Sequence, residues 1–236
     1  MKKTNEKKVI FFSSFLCLVI FLSLMIVNKG QSQENVPELD IDVTEGVVEP
    51  IPIAFPNFIT RDFSSSLIAS EISKIVKNDL SKTSLFRFIT ESTYISDVTS
   101  IDAPVRFTDW RAINSDLLLV GNVSILNETI TIKFRLWDVV GQNEIFKGVQ
   151  FQGPSNSIRR IAHKISDLIY SGVTGEGNYF DTRIAFISER GPKNNRIKRL
   201  AIMDQDGANL SFLTNSDSIV LAPRFSPDSR KLLYTS

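Results

Sequence analysis

The chain has 236 residues, enough for one large domain or two small ones. Hydrophobic residues make up 42% and charged residues 22%, which excludes a disordered or wholly membrane-embedded protein and is typical of a globular one. The formal net charge of +1 gives no electrostatic reason to expect nucleic acid as a partner.

The chain has one cysteine, Cys17, and one histidine, His163. Cys17 lies in the first apolar segment, so removal of that segment leaves no thiol for a disulfide, a zinc site or a nucleophile. One histidine cannot form a multi-histidine metal site. The sequence also lacks G-x-S-x-G, H-E-x-x-H and Walker A motifs. We therefore predict no catalytic site, no metal site and no cofactor.

The first 32 residues have the order of an export signal. A basic start with four lysines precedes residues 9–27, which contain no charge, and a small-polar segment follows. Gly30 and Ser32 form a small-x-small pair, which predicts a signal peptide over residues 1–32 with cleavage after Ser32. An uncleaved membrane anchor is the alternative, because about 18 apolar residues can span a bilayer. Both interpretations predict that the rest of the chain is exported.

Residues 33–49 are polar and acidic and predict an N-terminal arm. Within it, apolar and acidic residues alternate with the period of a β-strand. The alternating residues are Leu39, Asp40, Ile41, Asp42 and Val43. This segment is either a short edge strand of the next domain or a strand that pairs with a partner protein.

Residues 50–174 predict an α/β domain. Strands are expected at 51–55, 85–89, 117–121, 130–136 and 144–152. The first helix is expected to follow capping residues at 62–66 and to reach Leu80, and two further helices are expected at 109–113 and 157–170. A tight turn is expected at Asn127-Glu128, and Trp110 and Trp137 are expected in the core. Two apolar stripes are predicted to face inward: Leu67, Ile68, Ile72, Ile75, Val76 and Leu80 in the first helix, and Ile158, Ile161, Ala162, Ile165, Leu168 and Ile169 in the last.

Residues 175–236 predict a linker followed by one blade of an all-β propeller. Four strands are expected at 183–188, 198–203, 210–214 and 232–236, separated by turns that contain glycine or proline. One blade cannot bury both of its faces alone, so we expect the chain to be part of a longer protein.

The segment from 204 to 209 could also suggest a calcium loop, because Asp204, Asp206 and Asn209 offer oxygen ligands. The twelfth position of such a loop would be Asn215 rather than glutamate, and Gly207 stands at the fourth position rather than the sixth. A hairpin turn is the better interpretation. For His163, a structural hydrogen bond is predicted.

Several segments resemble the TolB family. Residues 203–209 (MDQDGAN), 213–214 (LT) and 222–228 (APRFSPD) are similar to its propeller repeat. Residues 160–170 and 174–186 resemble the helix and linker that lead into the first blade, and 116–123 and 134–138 resemble central strands of the family's first domain. The resemblance implies a periplasmic protein with an α/β N-terminal domain followed by a six-bladed propeller, of which about one blade is present.

The resemblance also implies a function and two protein partners. In the family, a strand just after the signal binds TolA, which places the TolA-binding strand on residues 39–43. The propeller binds the lipoprotein Pal through later blades, so no Pal-binding residue can be assigned. This sequence departs from the family pattern in two ways. If cleavage follows Ser32, roughly six additional residues precede the strand, and Ser229 stands in place of a turn glycine.

The implied role is a monomeric, non-catalytic scaffold between the inner-membrane TolA–TolQ–TolR complex and Pal. It would support envelope integrity and outer-membrane constriction at cell division. One alternative is an exported hydrolase whose catalytic domain lies beyond residue 236. Another is a truncated product in which only the TolA-binding half is active.

Overall fold

A computed structural model describes residues 49–215 and 220–236. The predicted signal peptide and residues 33–48 of the predicted arm lie outside these ranges. Within them, no helix combines the length and apolar character needed to cross a bilayer.

The first part of the described chain is one mixed sheet with helices. The strands are β1 Ile51–Ala54, β2 Phe86–Phe88, β3 Leu117–Leu126, β4 Thr129–Asp138 and β5 Asn143–Pro154, and the helices are α1 Phe63–Lys82, α2 Phe107–Ala112 and α3 Ile158–Thr174. The sheet has the order β2-β1-β3-β4-β5; β1 is parallel to β2 and β3, and β3, β4 and β5 are antiparallel. The predicted strands at 51–55 and 85–89, with a helix between them, are thus confirmed as a strand–helix–strand unit.

Helix α1 begins where the capping residues predict. Asp62 accepts hydrogen bonds from the backbone N–H of Ser65 at 2.8 Å and from its hydroxyl at 2.7 Å. The predicted inward position of Leu67 is wrong, since its side chain is 59% exposed. Leu67 precedes Ile72 by five residues, which turns it about 140° away from the buried stripe.

The first half of β3 is buried on both faces, and its side chains alternate between two apolar clusters. Leu117 and Leu119 face α1 and α3 and join the main core, which contains the buried stripe of α3. Leu118 and Val120 face the other side, where Trp110 is buried as predicted. Trp137 is partly buried against this second cluster.

The hairpin between β3 and β4 is also confirmed. Leu126 lies opposite Thr129, and Asn127 and Glu128 form a two-residue turn with φ of 49° and 61°. Positive φ at both central residues matches the twist of the flanking strands, and asparagine adopts it readily.

The last part of the described chain is built only from strands. Strands β6 Arg183–Arg190, β7 Ile197–Asp204 and β8 Ser211–Phe212 form an antiparallel sheet, and β9 Leu221–Phe225 pairs with β10 Leu232–Thr235. We call these five strands the blade. The predicted count of four strands is wrong, because β9 was missed and β10 pairs with β9. Strand β9 contains Pro223; proline in a strand is tolerated at a sheet edge, where its missing N–H breaks no ladder.

Candidate functional site

The predicted TolA-binding strand, which comprises Leu39, Asp40, Ile41, Asp42 and Val43, lies outside the described residues. The described residues instead bring together a polar site where the blade meets α1 and α3. We call it the junction cluster. Its members are Asp79 of α1, Arg159, His163 and Ser166 of α3, and Asp204, Gln205 and Asp206 at the end of β7.

Asp79 is the centre of the junction cluster and is fully buried. Its Oδ2 atom lies 2.7 Å from Nδ1 of His163 and accepts a 2.9 Å hydrogen bond from the hydroxyl of Ser166. Its Oδ1 atom accepts a 3.2 Å hydrogen bond from the side-chain amide of Gln205. One carboxylate therefore ties α1 to α3 and to the blade, as a buried acidic group requires when it loses water.

Helix α3 presents its polar members to the blade because of their spacing. Arg159, His163 and Ser166 stand at i, i+4 and i+7, which places them on one stripe of the helix. His163 and Ser166 are buried beside the apolar stripe of the same helix. The polar stripe of α3 therefore packs against α1 and the blade, although its side chains are polar.

The blade side of the cluster is the turn at residues 204–209, which we call the blade turn. The guanidinium of Arg159 pairs with Asp206, and its Nε lies 3.6 Å from Asp204. Asn209 donates a 2.6 Å hydrogen bond to Asp204 and has a φ of 54°. The motif thus forms the hairpin turn that the sequence predicts, and its acidic side chains face α3.

The charges of the cluster affect the protonation of His163. Burial by itself would lower the pKa of His163. The hydrogen bond and charge of Asp79, together with the charge of Asp206, outweigh burial and raise that pKa above 6.5, while Arg159 acts against them. The pKa of Asp206 is lowered: burial opposes this, and the Ala208 N–H and the Arg159 guanidinium outweigh it.

The cluster is better suited to joining two parts of the chain than to holding a metal ion. Atoms of His163, Asp204 and Asp206 lie within 4.8 Å of one another, a spacing that a cation could use. The guanidinium of Arg159, however, already pairs with both carboxylates and supplies the positive charge there.

A second contact on α3 fixes the linker to the same helix. The carboxylate of Asp167 accepts hydrogen bonds from the backbone N–H groups of Tyr179 and Phe180 at 2.6 Å and of Asp181 at 3.0 Å. The ring of Phe180 is fully buried and meets Tyr170 edge to face. The chain is thus held on α3 immediately before β6 begins.

The sequence predicted a structural hydrogen bond for His163 and a hairpin turn at 204–209, and the structure shows both. It did not predict that they meet each other, nor that Asp79 and Arg159 join them. The available signal was the i, i+4, i+7 polar spacing on an otherwise amphipathic helix. The long separation of Asp79 from the turn left no local pattern that could reveal the contact.

Two family models match the chain. Residues 39–145 match the TolB amino-terminal domain, and residues 170–236 match the TolB beta propeller domain. The fold is similar to the crystal structure of TolB from Acinetobacter baumannii, with a TM-score of 0.65 and 24% identity over 79% of this chain and 44% of that one.

Curated relatives are more similar in sequence. The chain is 49% identical over 215 residues to the Tol-Pal system protein TolB of Dinoroseobacter shibae, which covers 91% of this chain and 48% of that relative. It is 50% identical over 212 residues to the protein of the same name from a Ruegeria species, with 90% and 48% covered. The chain therefore spans about half the length of the curated relatives that it matches.

Proposed function

Since this chain belongs to the TolB family of Tol–Pal system proteins, we propose that it is a periplasmic scaffold that links TolA of the inner membrane to the lipoprotein Pal. The proposal includes support for envelope integrity and for outer-membrane constriction at cell division. The observation that carries it is the high identity to relatives of that name, which extends across the α/β domain and the blade.

We propose residues 39–43 as the TolA-binding strand. The match to the TolB amino-terminal domain begins at residue 39, which supports a place for this strand in the family pattern. An extended peptide can add to the edge of a partner's sheet through main-chain hydrogen bonds, while alternate side chains enter pockets. Leu39, Ile41 and Val43 would then share one face, and Asp40 and Asp42 the other.

A scaffold without chemistry of its own is consistent with the arrangement of the described residues. The polar side chains of the junction cluster pair with one another across the α/β domain and the blade. Such pairing supports a role in holding the two parts together. No observation on the described part of the chain favours the hydrolase alternative.

The test is calorimetry with purified TolA. We expect deletion of residues 39–43 to abolish TolA binding while the circular dichroism and unfolding midpoint stay unchanged. We expect the point variant Ile41→Asp to weaken binding about tenfold or more, because it places a charge on the apolar face of the strand.

The matched control is Asp42→Asn, which lies on the opposite face and should bind as the wild type does. Unchanged affinity after the deletion would contradict the assignment of residues 39–43 while leaving the scaffold function possible. If the wild-type chain itself does not bind TolA, the proposed partner is wrong.

A further inference from the structure

The charges around His163 do not balance while its imidazole is neutral. Three carboxylates face it: Asp79 from α1, and Asp204 and Asp206 from the blade turn. One cation faces them, the guanidinium of Arg159 on the same helix. A proton on His163 reduces this excess of negative charge, and the cluster has little access to water that could screen it.

The position of that proton follows from the hydrogen bonds. Nδ1 of His163 is 2.7 Å from Asp79, so this nitrogen carries the N–H of the neutral ring. The proton added on ionisation therefore goes to Nε2, which is buried and has no hydrogen-bond partner among the described residues. Ionisation changes Nε2 from an acceptor into a donor and gives the ring a positive charge, and a ring nitrogen lies within 4.8 Å of carboxylate oxygens of Asp204 and Asp206.

The two contacts of His163 consequently differ in their response to pH. The hydrogen bond to Asp79, which joins α1 to α3, needs only the N–H on Nδ1 and is present in both protonation states. The attraction to Asp204 and Asp206 exists only when Nε2 is protonated. A change of protonation therefore acts on the attachment of the blade, and it also alters the strength of the Asp79 contact, which is an ion pair only when His163 is protonated.

We propose that the junction cluster is a proton-dependent latch, in which protonated His163 holds the blade turn against α1 and α3 and neutral His163 loosens it. The inference is independent of the proposed partners. The raised pKa of His163 agrees with it. A group whose pKa is higher in the folded state stabilises that state below the unfolded pKa of 6.5, and the contribution is lost as pH rises through the folded value.

The experiment uses the fact that His163 is the only histidine of the chain. Labelling with ¹³C-histidine gives one imidazole signal, whose titration by NMR reports the folded pKa directly. Amide hydrogen exchange is then measured at low and high pH, from about 5.5 to 9, with correction for the intrinsic exchange rates.

We expect the imidazole to titrate above 6.5. We expect amides of β6 and β7 to lose protection as pH rises, because a small sheet that leaves the junction is only marginally stable. The loss should be about tenfold for every unit by which the folded pKa exceeds the unfolded one. Amides of β3 and β4 exchange through unfolding of the α/β domain, which also breaks the junction, so they should lose protection by no more than the same factor.

Two variants separate the latch from a simple structural role. His163→Gln should remove the pH dependence of β6–β7 protection. Gln205→Ala should lower that protection at every pH, because it removes a hydrogen bond to Asp79, but should leave the pH dependence intact. If His163→Gln does not fold, the wild-type titration and exchange remain a complete test. Titration at or below 6.5, or a loss of protection that is confined to β3–β4 while β6–β7 exchange independently of pH, overturns the proposal.

Discussion

The α/β domain and the blade are stabilised in different ways. In the domain, one face of the sheet carries the main core and a smaller apolar cluster covers part of the other, and Phe134, Leu118 and Leu119 are fully buried. In the blade, large apolar side chains such as Leu233 and Phe212 are exposed. The domain therefore has a core of its own, whereas the described contacts that hold the blade to it are largely ionic and polar.

Because of this difference, we expect the two regions to respond to different perturbations. Truncation of buried apolar side chains should destabilise the α/β domain, since apolar burial is the main source of its stability. Changes of charge should act chiefly where the blade is attached, because the buried polar groups there depend on one another.

The largest effect is expected from a cavity in the main core. Phe134→Ala should lower the free energy of unfolding by about 4 kcal/mol, because its ring packs against Phe146 and Phe151 and is fully buried. The matched change in the blade, Leu233→Ala, should alter it by less than about 0.5 kcal/mol, since that side chain is 74% exposed. Urea unfolding followed by circular dichroism measures both, and similar losses would break the comparison.

A smaller loss is expected when the centre of the junction cluster is removed. Asp79→Ala leaves the buried N–H of His163 and the amide of Gln205 without their acceptor and removes one of two acceptors of the Ser166 hydroxyl, and should cost about 3 kcal/mol. The control is Glu91→Ala, which removes the partly exposed pair with Lys77 and should cost less than about 1 kcal/mol. Equal values from urea unfolding would mean that the junction contributes no more than a surface ion pair.

The smallest of the three effects tests how tightly β3 is packed. A Cβ at Gly121 would lie 2.6 Å from the Phe58 ring and 2.6 Å from the main-chain oxygen of Lys133, so Gly121→Ala should cost about 2 kcal/mol. Gly177→Ala in the linker, where no atom lies within 4 Å, should change stability by less than about 0.5 kcal/mol. Thermal unfolding of the two variants side by side measures the difference. A neutral Gly121→Ala would show that Phe58 can move aside.

The sequence predicted the elements of the α/β domain well because their signals are local. The Asp62 cap, the Asn127-Glu128 turn and the period of α3 each depend on residues within a few positions of one another. Leu67 was predicted to face inward because it is apolar, but its angular position around the helix lies outside the buried stripe. Strand β9 was not predicted; it contains Pro223, a residue that is tolerated in strands only at particular positions such as a sheet edge.

The junction cluster could be predicted only in part. Asp79 and Gln205 are far apart in the sequence, and a single buried carboxylate in an amphipathic helix has the same local pattern as an exposed one. Tertiary packing alone decides which of the two it is. The strand at 39–43 stays a prediction, since it depends on a period-two pattern and on the family resemblance.

The hydrogen bonds between Asp167 and the linker determine which part of the protein would bear a force applied to the blade. The chain leaves α3 at Gly175, and residues 179–181 return to the side chain of Asp167. A pull on β6 is therefore transmitted through three amide hydrogen bonds to the middle of α3, where the helix is buried. Gly175 and Gly177 lie between the end of α3 and these hydrogen bonds, outside that direct connection.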